Sequence, residues 1–274
     1  QSRCSQFQKK GKLFNKMIRY SRFIALGDSF TEGVGDIQVD GQFMGWADRV
    51  AERLAKEQPE FSFYNLAIRG KLVSQVIEDQ IPEAMKWIEG PSTLLSFHAG
   101  ANDVLRPGYD PEVVLPQYRE AVRKLAATGA QLILFTAIER VAKSGKMQEL
   151  WHQRFSGFNN NVRSIALEVG AIVADANLDP DIASRRFLDA DRLHLNPAGH
   201  ARVAESVLEL IGADFDPNWN APLPPLPELG KVQSIQIEVQ WITTFLIPWI
   251  SRRIRGISSG DGRFAKHSAP IRLS

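Results

Sequence analysis

From residue 22 onward the chain alternates two hydrophobic patterns. Short apolar runs at 23–26, 61–66, 93–97, 131–136 and 171–174 are rich in Phe, Ile, Val and Leu, as strands buried on both faces require. Between and after them, apolar residues recur at helical spacing over 45–57, 72–88, 112–128, 148–169 and 197–211. Gly129 follows the third stretch as a C-cap, and Asn196 with Pro197 opens the last as N-cap and first-turn residue. Five alternations of strand and helix predict an α/β fold: a three-layer α/β/α sandwich around a five-stranded parallel sheet.

The alternation stops after Ala213. Residues 214–230 hold five prolines and read as an extended, semi-rigid linker. Residues 231–274 form a basic, amphipathic tail in which 241–255 combines Trp, Ile and Phe with three arginines. That apolar run is shorter than the ~20 residues that cross a bilayer. It is either a helix docked on the domain or an interfacial membrane anchor, and the pattern leaves both open. Residues 256–274, rich in Ser, Gly and Arg, are expected to be mobile. Residues 1–16 are basic without the apolar run of a secretory signal, so the domain is placed at 17–213 behind a leader. The expected location is cytoplasmic, peripheral to a membrane if the tail binds lipid.

Of the 274 residues, 44% are hydrophobic and 23% charged, which excludes a mostly disordered or collagenous chain. The single cysteine, Cys4, allows neither an intrachain disulfide nor a thiolate zinc site. The net charge of +2 conceals an asymmetry: residues 1–22 carry +7 and 231–274 carry +5, leaving −10 on the body. Such a body repels phosphates, so nucleic acid is not its expected partner.

Open parallel sheets bind ligands where loops leave the carboxyl ends of their strands. Those loops carry Gly27-Asp28-Ser29-Phe30, Arg69-Gly70, Gly100-Ala101-Asn102-Asp103 and Asp191-Arg192-Leu193-His194. A serine hydroxyl needs an adjacent base, which His194 supplies, and Asp191 three residues earlier can hold that imidazole. The N–H groups of Ser29 and Gly70 and the Asn102 amide are candidate donors to an oxyanion. Phe30, Phe43, Trp46 and His98 are candidate walls of a substrate pocket. Asp189, Asp191 and His194 lack a second histidine at ligand spacing, so no metal is expected.

These four blocks, in this order after successive strands, resemble the SGNH or GDSL-like hydrolase superfamily. The resemblance covers roughly 22–212. It implies a flavodoxin-like α/β/α fold and a cofactor-free serine esterase or lipase acting on a small-molecule ester. It also implies Ser29 as nucleophile, Asp191 and His194 as its assisting pair, and Ser29, Gly70 and Asn102 as the oxyanion hole. Phe30 stands where the family's name motif has Leu. Lipid, acetylated-carbohydrate and thioester substrates all suit those residues. The rival reading is a flavodoxin-like module that cradles a phosphate at Ser29–Gly33.

Overall fold

The computed structural model describes residues 20–139, 145–226 and 230–273, without the side chains of Met147, Arg253 and Ile254. The expected leader at 1–16 and linker residues 227–229 lie outside them. The chain opens with β1 (Arg22–Gly27), α1 (Ser29–Glu32), a hairpin of β2 (Gln38–Val39) and β3 (Gln42–Phe43), α2 (Gly45–Glu57) and β4 (Ser62–Asn65). It continues through α3 (Val73–Gln75), α4 (Ile81–Met85), β5 (Thr93–His98), α5 (Ala101–Val104), α6 (Pro111–Ala126) and β6 (Gln131–Phe135). Then come α7 (Lys146–Val169), β7 (Ile172–Ala174), α8 (Pro197–Ile211), α9 (Lys231–Trp241), α10 (Ile247–Ile254) and β8 (His267–Arg272).

The five expected strands form one parallel sheet because both of their faces are apolar. Phe23 and Ala25 of β1 face a core built with Trp46, Val50 and Leu54 of α2 and Val203 and Val207 of α8. Ile24 and Leu26 face the opposite core, with Ile81, Tyr118, Val122, Phe158 and Ile165. Each fully buried side chain of this kind contributes about 1.5–3 kcal/mol relative to exposure. Helices therefore cover both faces, as the pattern predicts.

Three expectations need correction. The helical stretch 72–88 is not continuous: α3 and α4 are joined by a π turn over Val76–Gln80. Pro82 has no N–H to offer the preceding turn, so a regular ladder cannot run through it. Helix α6 ends at Ala126 rather than at Gly129, which sits in a following turn with φ of +78°. Asn196 does cap α8, accepting from the Gly199 N–H at 3.0 Å, and Gly212 closes it in a left-handed conformation.

The third correction is the tail. The sheet has six strands, ordered β7-β6-β5-β1-β4-β8, and β8 runs antiparallel to β4 with Phe63 opposite Ile271. Residues 256–273 are thus a strap across one edge of the domain instead of a loose end. Lys266 pins it: its buried Nζ donates to the carbonyls of Glu32 (2.9 Å), Phe43 (2.7 Å) and Met44 (3.1 Å) and to Asp48 Oδ2 (2.6 Å). His267, within the stretch expected to be mobile, packs edge-on to Phe63 at 5.7 Å. Among the described residues no helix is long and apolar enough to cross a membrane.

Candidate active site

Strand β1 ends at Gly27, whose φ is +150°. A Cβ there would lie 2.3 Å from the His98 carbonyl oxygen, so only glycine lets β1 turn against β5. The Gln80 side chain clamps this turn from the π turn below: its Nε2 donates to the Gly27 carbonyl, and its Oε1 accepts the Gly27 N–H, both at 2.8 Å. Sequence reading missed Gln80. The available signal was a glutamine on the apolar side of a helical pattern, a buried polar group that must find partners. Asp28 caps α1 by accepting from the Phe30 N–H at 3.1 Å, which leaves Ser29 as the first helical residue. Ser29 is half-buried, and neither its hydroxyl nor its N–H has a hydrogen-bond partner among the described residues.

His194 arrives on the loop before α8. Its Nδ1 lies 2.6 Å from Asp191 Oδ2, while Asp191 Oδ1 accepts from the N–H groups of Leu193 (2.8 Å) and His194 (3.0 Å). Burial alone would raise the Asp191 pKa. The His194 ring, with those two N–H groups, outweighs burial and pulls it down to about 2. The carboxylate thus stays ionised and orients the ring, leaving Nε2 without a hydrogen-bond partner among the described residues. Arg192, inside the loop, adopts φ of +58°, a left-handed conformation that costs a Cβ-bearing residue about 1–2 kcal/mol. Helix α9 holds it there: Arg192 sits over the Trp241 ring at 4.6 Å and reaches Glu238 at 2.7 Å, and Trp241 Nε1 donates to the Asp191 carbonyl at 3.0 Å.

The turn after α1 joins the Ser29 and His194 loops. The Ser29 carbonyl accepts from the N–H groups of Gly33 (3.1 Å) and Val34 (3.0 Å), fixing the turn that carries Gly35. Gly35 lies directly against the other loop, since a Cβ built on it falls 2.1 Å from the Leu195 carbonyl oxygen and 3.3 Å from His194 Cβ. Behind it, His200 Nε2 donates to the Val34 carbonyl at 3.1 Å, and burial pushes the His200 pKa down to about 4. His200 is therefore a neutral support for this turn.

The second loop is tied to α1 through Glu32, which accepts from the Arg69 N–H at 2.6 Å and from Arg69 Nε at 2.9 Å. The Gly70 N–H has no partner among the described residues. Gly70 also meets the C-terminal strap. Its Cβ position is taken by the strap, with Ser258 Oγ 2.4 Å and Ser259 Oγ 3.1 Å from where that atom would lie. Asn102 is buried on the third loop, its Nδ2 donating to Asp28 Oδ2 at 3.0 Å and to the Lys71 carbonyl at 3.2 Å. Asp28 thus links the first loop to the third. Asp103 accepts from the Val73 N–H at 3.0 Å, and burial pushes its pKa up to about 6.

The expected pocket walls behave differently from one another. Trp46 is fully buried in the core and lines no cleft, a correction whose reason is its position on the inward stripe of α2. Phe30 packs over Trp46 (5.7 Å) and the His98 ring (4.5 Å). His98 is buried against Phe30, its Nδ1 3.3 Å from Asp28 Oδ1, and lines no open cleft. Phe43 is half-buried under the Arg69 guanidinium at 5.2 Å, beside the second loop.

Comparison with known proteins agrees with this layout. The model of the GDSL-like lipase/acylhydrolase family matches residues 25–202. No curated protein matches the chain. Similar solved structures include an alpha/beta hydrolase from the metagenome of Lake Arreo, Spain, at 20% identity and a TM-score of 0.58, covering 72% of this chain and 98% of that one. An acetylxylan esterase of Geobacillus stearothermophilus is similar at 20% identity and a TM-score of 0.58, with 72% and 97% covered. A lipolytic protein of the G-D-S-L family from Veillonella parvula is similar at 22% identity and a TM-score of 0.54, with 69% and 96% covered. The family match takes in all four loops and more than half of the chain; the chain belongs to the GDSL-like lipase/acylhydrolase family and is a hydrolase of ester bonds.

Proposed function

We propose that this protein is a serine esterase that cleaves carboxylic esters through an acyl-enzyme on Ser29. The observation that carries the reading is the Asp191–His194 pair at 2.6 Å, seated on the turn that continues from Ser29. His194 Nε2 takes the Ser29 proton as Oγ attacks the ester carbonyl, then returns it to the departing alcohol; water repeats the cycle on the acyl-enzyme. The N–H groups of Ser29 and Gly70, unused by the fold among the described residues, supply two donors for the developing oxyanion. Asn102 supplies a third by exchanging the Lys71 carbonyl at 3.2 Å for substrate while keeping Asp28 at 3.0 Å.

The rival phosphate-binding reading draws no support from the site, because α1 is a single turn flanked by the carboxylates of Asp28 and Glu32. The test is turnover of p-nitrophenyl esters with acyl chains of increasing length. Ser29→Ala is expected to lose at least ~10³-fold in kcat with its melting temperature kept. Asn102→Ala is expected to lose on the order of 10²–10³-fold. Wild-type turnover by Ser29→Ala refutes the mechanism.

A further inference from the structure

Helices α9 and α10 form one rod, joined by a π turn over Ile242–Leu246. One side is docked: Glu238 pairs with Arg192 and Arg185, and Trp241 binds the Asp191 carbonyl. The other side carries Val232, Ile235, Val239, Ile242, Ile247 and Ile250, all between 38% and 70% exposed. The first four follow steps of three and four residues, one face of an α-helix. The next step is five, the spacing a π turn adds, so the π turn keeps Ile247 and Ile250 in line with the others. The result is an apolar stripe about 27 Å long at 1.5 Å per residue. At its far end Ile247, Ile250, Ser251 and Arg255 line a recess of about 270 Å³.

The charge around the stripe says what it fits. Residues 239–260 contain Arg252, Arg253 and Arg255 and no acid, while the body beyond carries −10. Lys231 stands at the opposite end of the rod. Two copies pairing stripe to stripe would set basic ends against basic ends in either orientation, which disfavours a dimer through this face. An apolar line that ends among basic residues, with Arg255 beside Ile247 and Ile250, instead matches the boundary between acyl chains and anionic headgroups.

We propose that the rod docks this protein on anionic lipid surfaces, its stripe lying in the interface and its docked side holding the Asp191–His194 loop close to the membrane. The proposal concerns binding alone and does not depend on the assignment of Ser29. The test is sedimentation of the full chain with vesicles of phosphatidylcholine alone and of phosphatidylcholine with phosphatidylglycerol. Expected is binding to the mixed vesicles that weakens as salt rises and is at least ~10-fold weaker to phosphatidylcholine alone. Ile235→Glu with Ile247→Glu, and separately Arg252→Glu with Arg255→Glu, should each weaken it at least ~10-fold while turnover of a soluble ester and the melting temperature stay unchanged. Failure of the wild-type chain to bind mixed vesicles overturns the proposal, as does undiminished binding by either variant. A wild-type dimer that Ile235→Glu with Ile247→Glu converts to monomer also overturns it, because the stripe then belongs to a second copy.

Discussion

Gly35→Ala tests the link between the Ser29 and His194 loops without touching either side chain. Gly35 has φ of +97°, so alanine pays about 1–2 kcal/mol for the left-handed conformation. Its new methyl would lie 2.1 Å from the Leu195 carbonyl oxygen, and relieving that overlap displaces the loop by roughly 1 Å at a further cost of about 1–3 kcal/mol. The sum, about 2–5 kcal/mol, corresponds to a fall of roughly 5–15 °C in melting temperature. The larger effect is on chemistry, because His194 Cβ rides on the same contact, 3.3 Å from the new methyl. A displacement near 1 Å at a general base costs on the order of 10²-fold in kcat, with KM little changed. Gly41→Ala is the control: its φ is +77°, and a Cβ there meets nothing within 4 Å. It should show the backbone cost alone and keep full kcat. Circular dichroism melts and ester turnover on both variants decide the matter. If Gly35→Ala matches Gly41→Ala in both measurements, the turn does not position His194 and the reasoning fails.

Lys266→Met should cost about 3–5 kcal/mol in urea denaturation, because it takes the cation from the largely enclosed Asp48 carboxylate and the charged donor from three carbonyls. The same variant should increase amide exchange along β4, whose edge the strap covers. Stability should fall between pH 6.5 and about 4. Over that range His200 stays neutral when folded and binds a proton when unfolded, so the stabilisation present above pH 6.5, on the order of 3 kcal/mol, is lost as pH drops. His200→Gln should flatten that part of the urea-midpoint profile. Asp191, whose folded pKa is lowered from 3.8 to about 2, should add a second loss below pH 3.8, which Asp191→Asn removes.

Local and periodic features of the chain were legible without coordinates. Two-faced apolar runs specified a parallel sheet, Asn196-Pro197 marked the start of α8, and a short loop placed Asp191 and His194 within mutual reach. What bears on more than one segment was not. The sequence of β8, His267–Arg272, contains Pro270 and has only half-buried or exposed residues, so no period separates it from a loose tail; it is a strand because β4 leaves an edge to pair. Trp46 is a candidate pocket wall by sequence, and only the direction of α2 against the sheet puts it in the core. Nothing local to Gly70 marks its neighbours: the atoms against it come from residues 258 and 259, far along the chain. Sequence determines which side chains are available and what local conformations they permit. Which groups share a point in space depends on long-range packing, and here a C-terminal strap and rod brought Lys266 to the loops around α1 and Trp241 to the Asp191 loop.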